Sequence, residues 1–207
     1  MAIKATLQNL HYRDTLALDI ISHLQRDERV ISVRLQGSLA NGTADRYSDI
    51  DLCVQLRDVS DRAFAEILPD LIRPVGKPFI EGWGVGFLPD LYIRTVYFDA
   101  YPLFWHVDIA CESNIHIDGH DLRNTYHWPQ IFKIWIDVVS DWLRGKDSTA
   151  RLEQIISRWH DIHTVKDAPP NTKLIQYLEW CTERARKRGA PCDTLSERCQ
   201  QLCDDYL

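Results

Sequence analysis

The chain is poor in glycine and proline, with nine of each in 207 residues. That excludes a collagenous or low-complexity protein. No apolar run approaches the ~18–20 residues of a membrane span, so no membrane association is expected. The opening segment MAIKATLQNL lacks an apolar core, so no secretory signal is read and the cytoplasm is the expected location. The six cysteines have no tight repeating spacing, which fits reduced thiols rather than a disulfide framework. A basic excess is missing as well. Residues 1–120 hold 11 Lys and Arg against 17 Asp and Glu, and residues 121–207 hold 13 of each. Polynucleotide binders ordinarily present a basic face, so a polynucleotide partner is disfavoured. An acidic first part suits bound metal ions or a cationic small substrate, or serves solubility alone.

What is present is the make-up of a globular protein, 45% apolar and 26% charged. Leu16, Ile20 and Leu24 at helical spacing predict a helix over Asp14 to Gln25. Val30 to Gln36 and Ile50 to Leu56 read as strands. Ser60 is placed to cap a helix carrying Phe64, Ile67, Leu68, Leu71 and Ile72, which Pro74 ends. Gly82, Gly84 and Gly86 are spaced wrongly for a dinucleotide fingerprint, so residues 76–90 are expected to be an irregular strand or loop. Leu91 to Phe98 and Leu103 to Ala110 are both β-rich, and the short link Asp99 to Pro102 predicts an antiparallel hairpin.

After about residue 120 the pattern turns helical. Gln130 to Arg144 carries Ile131, Trp135, Val138 and Trp142 on one stripe. Ser148 and Thr172 are candidate caps for two further helices, the second stopped by Gly189 and Pro191. Thr194-Leu-Ser-Glu197 has capping-box form and should open a last short helix. The expected organisation is a mixed α/β domain over residues 1–120 and a bundle of about four helices over residues 121–207.

The chemistry concentrates between Val33 and Val54. Asp49 and Asp51 lie two apart on a strand and so point to one face, their Cα atoms ~6–7 Å apart at strand rise. Ile50, Leu52, Val54 and Leu56 form the other, apolar face. Two like charges that close either shift a pKa or bind a cation. Carboxylate oxygens suit Mg²⁺, which commonly takes one or two carboxylates plus substrate phosphates. Gly37 at the end of the preceding strand lets the backbone turn sharply and approach a ligand. A helix opening at Ser38 would aim free N–H groups at an anion, and its hydroxyl adds a donor. A phosphate cradle beside a metal-holding acid pair makes a nucleoside-triphosphate site.

This segment resembles the signature of the polymerase-β-type nucleotidyltransferase superfamily: a strand ending in Gly37-Ser38, about ten residues, then Asp49-Ile-Asp51 among apolar residues. The resemblance implies an α+β fold, a mixed-sheet catalytic domain followed by the helical bundle. It implies that Asp49 and Asp51 bind Mg²⁺, and that the Gly37-Ser38 turn holds the β- and γ-phosphates. It also implies a third carboxylate on a neighbouring strand, for which Asp108 is the candidate, as metal ligand or as general base. Alternation over Leu103 to Ala110 puts Asp108 on a face with Phe104, His106 and Ala110, with Glu112 as the reserve base. Arg46 in the motif loop and Lys133 at the start of the first bundle helix are the candidate cations for the triphosphate. The chain's size resembles the stand-alone antibiotic-modifying members, so a small acceptor hydroxyl on an aminoglycoside or lincosamide is expected, with ATP the first-choice donor. The alternatives are a nucleotidyltransferase acting on a protein or RNA, as in toxin–antitoxin modules, or a non-catalytic nucleotide-binding protein of the same fold. Four Lys or Arg within Arg184 to Arg188 hint at the RNA alternative, although they also complement the end of their own helix. Oligomeric state is left open.

Other features are weaker. His116-Ile-Asp118-Gly-His120 is a short donor group without a further ligand set. Arg158 and His163 have a spacing seen in some small helical ribonucleases, and equally fit a helix surface. The seven tryptophans read mainly as helix core, and Cys199 and Cys203 as small buried hydrophobes or a free thiol.

Overall fold

The computed structural model describes residues 7–79, 92–115, 128–157 and 168–207. The chain divides into two compact units, residues 1–125 and 126–207. The first contains α1 (His11–Leu24), β1 (Val30–Leu35), α2 (Gly37–Ala40), β2 (Ile50–Leu56), α3 (Asp61–Leu71), β3 (Pro78–Phe79), β4 (Tyr92–Phe98) and β5 (Val107–Glu112). Five strands pair in the order β1-β2-β5-β4-β3. β2 and β5 are parallel and the other pairs antiparallel, so the sheet is mixed and the class is α+β.

One face of this sheet is apolar by alternation. Ile50, Leu52, Val54 and Leu56 of β2, with Val107 and Ile109 of β5, are buried in one cluster with Leu16, Ile20 and Leu24 of α1 and Phe64 and Leu68 of α3. Each such side chain contributes ~1.5–3 kcal/mol on burial. The same alternation turns Asp51 and Asp108 to the opposite face. Ser60 caps α3 as expected, its hydroxyl accepting the Ala63 N–H at 3.2 Å.

The hairpin forms with a shorter second strand than the pattern implies. Leu103–Trp105 make a 3₁₀ turn, and β5 begins only at Val107. Leu103, Phe104 and Trp105 are all buried. The turn follows Pro102, and its backbone bonds run from the Trp105 N–H to the Pro102 carbonyl and from the His106 N–H to the Leu103 carbonyl instead of to a neighbouring strand. Phe104 therefore does not share a strand face with Asp108.

The second unit holds α4 (Trp128–Leu143), α5 (Thr149–Ser157), α6 (Pro170–Lys187) and α7 (Asp193–Tyr206). Ile131, Trp135 and Val138 are buried, and the Trp135 indole donates to the Leu174 carbonyl of α6 at 2.8 Å. Helix starts differ from the expected caps. At α5 the Asp147 carboxylate accepts from the Thr149 N–H and hydroxyl at 3.0 and 2.7 Å, which lowers its pKa, while Ser148 donates to Asp141. α6 begins at Pro170, ahead of Thr172, because a proline in the first turn gives up an N–H that has no partner there anyway. α7 begins at Asp193, so Thr194 lies inside it and no capping box forms. Gly189 does end α6, at φ +65°. Trp105, Trp128 and Trp135 are among the largest fully buried side chains, and all six cysteines are buried and free. Among the described residues no helix is long and apolar enough to cross a membrane. Gly82–Gly86, His116–His120 and Arg158–His163 lie outside the described residues.

Candidate active site

The β1–β2 ladder runs one residue beyond β1, because the Gln36 N–H donates to the Asp51 carbonyl at 2.8 Å. That bond lays Gly37 against the Asp51 side chain. Gly37 has φ +59°, in the left-handed region, and a Cβ there would overlap the Asp51 carboxylate, lying 2.9 Å from its Cγ. Both the conformation and the space therefore require glycine. The half-buried Ser38 follows in α2, and its carbonyl accepts the Thr43 N–H at 3.0 Å.

The connection to β2 is folded by its own polar groups. The Asp45 carboxylate accepts from the Tyr47 N–H at 2.9 Å and the Ser48 hydroxyl at 3.0 Å, a turn-forming use of aspartate. Arg13 of α1, 3% exposed, donates to the Asp45 carbonyl and so ties this loop to the core. The Trp105 indole donates to the Arg46 carbonyl at 2.9 Å. The exposed Arg46 guanidinium lies over the Tyr47 ring, 5.9 Å from its centroid.

Asp49 immediately precedes β2, and the Ile50 N–H donates to the His106 carbonyl at 3.0 Å. In the parallel β2–β5 register Asp51 stands opposite Asp108. Neighbouring strands run ~4.8 Å apart, so the two backbones are adjacent. On its other side Asp108 faces Thr95 of β4, whose hydroxyl donates to the Asp108 carboxylate. His106 is 2% exposed. Its Nδ1 lies 3.0 Å from the Leu103 carbonyl, which can only accept, so the proton belongs on Nδ1 in the neutral ring. Its Nε2 lies 3.4 Å from Asp49 Oδ2. One ligand atom each from Asp49, His106 and Asp108 falls within 4.8 Å of the others. The Tyr97 ring packs 5.4 Å from His106 and stacks on Phe79 at 5.6 Å.

Gly37, Ser38, Asp49, Asp51 and Asp108 thus gather at one end of β2 and β5. Asp51 stands beside Gly37, outside the tight trio. Arg46 belongs to the loop between the Gly37-Ser38 turn and Asp49. Lys133 is half-buried on α4 of the second unit. Glu112 is at the far end of β5, four residues or ~13 Å along the strand from Asp108, and pairs with Arg34 at 3.2 Å. That partner and that distance remove it as a stand-in base. Beside this pair, burial raises the pKa of the Cys53 thiol. His106 and Thr95 had no assigned role from the sequence. The signal for His106 was its place two residues before Asp108. Thr95 became visible only through strand pairing.

Residues 17–116 match the family model described as the nucleotidyltransferase domain. No curated protein matches the chain significantly. Among solved structures, the chain is similar to the Cid1 poly(U) polymerase at 19% identity and a TM-score of 0.30, over 78% of this chain and 50% of that one. It is similar to the GLD-2/RNP-8 complex at 16% identity and a TM-score of 0.31, over 84% of this chain and 76% of that one. The chain thus spans half the length of the first of these, and both likenesses are distant.

Proposed function

We propose that the chain is a nucleotidyltransferase that moves a nucleoside monophosphate from a nucleoside triphosphate to a hydroxyl of a small acceptor. The observation that carries this is the gathering of Asp49, Asp51 and Asp108 on adjoining strands beside the Gly37-Ser38 turn, inside the matched segment. The donor set is rich in carboxylate oxygen and fits a divalent cation, with Mg²⁺ the first choice. Asp49, Asp51 and Asp108 would hold that ion, which on binding lowers the pKa of the attacking hydroxyl and neutralises phosphate charge.

The chain's own groups supply the rest. Gly37 leaves room for phosphate to approach the backbone, and the Ser38 hydroxyl donates to it. Arg46, in the loop between the Gly37-Ser38 turn and Asp49, is the cation assigned to the triphosphate. Asp108, fixed by Thr95, takes the proton of the acceptor hydroxyl. The hydroxyl oxygen bonds to the α-phosphorus, the bond from that phosphorus to the bridging oxygen breaks, and pyrophosphate leaves. The acidic balance of residues 1–120, 11 basic against 17 acidic, supports a cationic acceptor such as an aminoglycoside, with a lincosamide next. The basic run at the end of α6 offers less support for RNA: Lys187 pairs with Glu183 and Arg184 lies over the Trp180 ring.

The test is incubation of the purified protein with a divalent ion and each labelled nucleoside triphosphate, ATP first, against a panel of aminoglycosides and lincosamides. Transfer of label to a drug supports the reading. Label on protein or co-purifying RNA overturns the small acceptor, and no pyrophosphate release with any pair overturns the transferase.

A further inference from the structure

We propose that His106 is itself a metal ligand, and that Asp49, His106 and Asp108 form a mixed nitrogen–oxygen centre that ranks Mn²⁺ above Mg²⁺. The inference rests on the reading of this site as the cation centre of a nucleotidyltransferase. It goes beyond that reading because an all-carboxylate set needs no histidine and favours a hard ion.

Three observations carry it. The first is position: Nε2 of His106 is one of the three ligand atoms that lie within 4.8 Å of one another. Adjacent ligands of one octahedral ion at 2.0–2.1 Å sit about 3 Å apart and opposed ligands about 4.2 Å apart. Closure on one ion therefore takes side-chain shifts of about 1 Å. The second is the ring's orientation. The Leu103 carbonyl engages Nδ1 at 3.0 Å and fixes the tautomer, so the Nε2 lone pair faces Asp49 Oδ2 at 3.4 Å. A backbone carbonyl behind a ligating histidine is the usual outer-shell arrangement, which orients the ring and raises its basicity. In that orientation Nε2 and the Asp49 carboxylate point into the same space and can engage one cation together. The third is burial. At 2% exposure, behind Tyr97, the ring is held in place and no rotamer search is needed on binding.

The consequence is selectivity. Imidazole binds first-row transition ions better than Mg²⁺, whereas carboxylates accept both. Mn²⁺ tolerates the octahedral, carboxylate-rich surroundings of Mg²⁺ and takes a nitrogen ligand as well, so it gains most from this set.

The test uses the full chain loaded with Mn²⁺ alone, once unlabelled and once with only its histidines ¹⁵N-labelled. Pulsed electron paramagnetic resonance should show ¹⁴N coupling to Mn²⁺ in the first sample, replaced by ¹⁵N coupling in the second. Titration calorimetry should rank Mn²⁺ above Mg²⁺. The variant His106→Gln should lose the nitrogen coupling and weaken Mn²⁺ binding by roughly 10–100-fold, with a much smaller change for Mg²⁺. Stoichiometric Mn²⁺ without histidine coupling in the wild type overturns the inference and leaves the nucleotidyltransferase reading standing. Coupling that persists in His106→Gln overturns it as well. Mn²⁺ that does not bind at all also overturns the inference, while pyrophosphate release in the transfer assay decides the nucleotidyltransferase reading separately.

Discussion

Replacing Gly37 by alanine should destabilise the protein through two separable effects. The residue has φ +59°, where a side chain costs roughly 1–2 kcal/mol. At about 2–4 °C per kcal/mol for a chain of this size, that is a fall in Tm of roughly 2–8 °C. The new Cβ would also overlap the Asp51 carboxylate and lie 2.9 Å from Asp51 Cγ. A double-mutant cycle separates the terms. Gly37→Ala is made in the wild type and in Asp51→Ala, and stability is measured by urea unfolding in a chelator so that no ion contributes. In the Asp51→Ala background only the Asp51 Cβ remains close, at 3.3 Å, so the backbone term persists while most of the overlap vanishes. The coupling should favour the double mutant by roughly 0.5–3 kcal/mol, the usual range for residues in contact. The Gly37→Ala single mutant should also lose triphosphate binding by calorimetry, since the displaced carboxylate intrudes on the cradle. Equal costs in the two backgrounds would refute the close approach of Gly37 to Asp51.

Three further outcomes are expected. Asp49→Asn and Asp108→Asn should each abolish transfer yet raise Tm in chelator, because each removes one of several like charges at close range; wild-type turnover in either would remove that residue from the site. Thr95→Val deletes the hydroxyl that fixes Asp108, and should cut kcat by roughly 10–100-fold with the triphosphate KM little changed, the loss of a hydrogen bond to a charged group; an unchanged kcat would show that the contact is ornamental. Burial pushes the Cys111 thiol up to about 12 from its ordinary 9, so between those values the unfolded chain ionises first and stability falls as pH rises. A thiol reagent at pH 8 should therefore react with the buried cysteines only in urea, and prompt native labelling of Cys111 would contradict its burial.

Much of the first unit was legible because its signals are local. β2 spans the Ile50–Leu56 segment whose alternation is plain, and Ser60 caps the helix it should cap. The second strand of the hairpin was misread from Leu103 because those residues have strand chemistry, while Pro102 and the core beneath them impose a turn. Thr172 and Thr194 look like caps in isolation. Each lost that place to a neighbour, Pro170 and Asp193, that starts the helix earlier. The parallel pairing of β2 with β5 has no local signature at all, since it joins segments more than fifty residues apart.

That pairing also explains which part of the site could be read. Asp49 and Asp51 share one strand segment, so their proximity follows from a period of two. Asp108 becomes their neighbour only through the register that sets it against Asp51, and Thr95 only through the register that sets it against Asp108. His106 is a stricter case. Alternation would have put it on one strand face with Asp108, yet it lies outside β5, at the end of the 3₁₀ turn. Its ring is aimed by the Leu103 carbonyl of that turn. A regular strand starting at Leu103 would commit its carbonyls to the ladder or to solvent, and none would lie behind the imidazole. The β2–β5 register, extended by one residue, sets His106 beside Asp49, and the departure from the simple hairpin adds the carbonyl that engages Nδ1. A substitution that restores strand pairing at 103–105 should therefore leave His106 beside Asp49 and Asp51 opposite Asp108, and remove only the carbonyl that engages Nδ1.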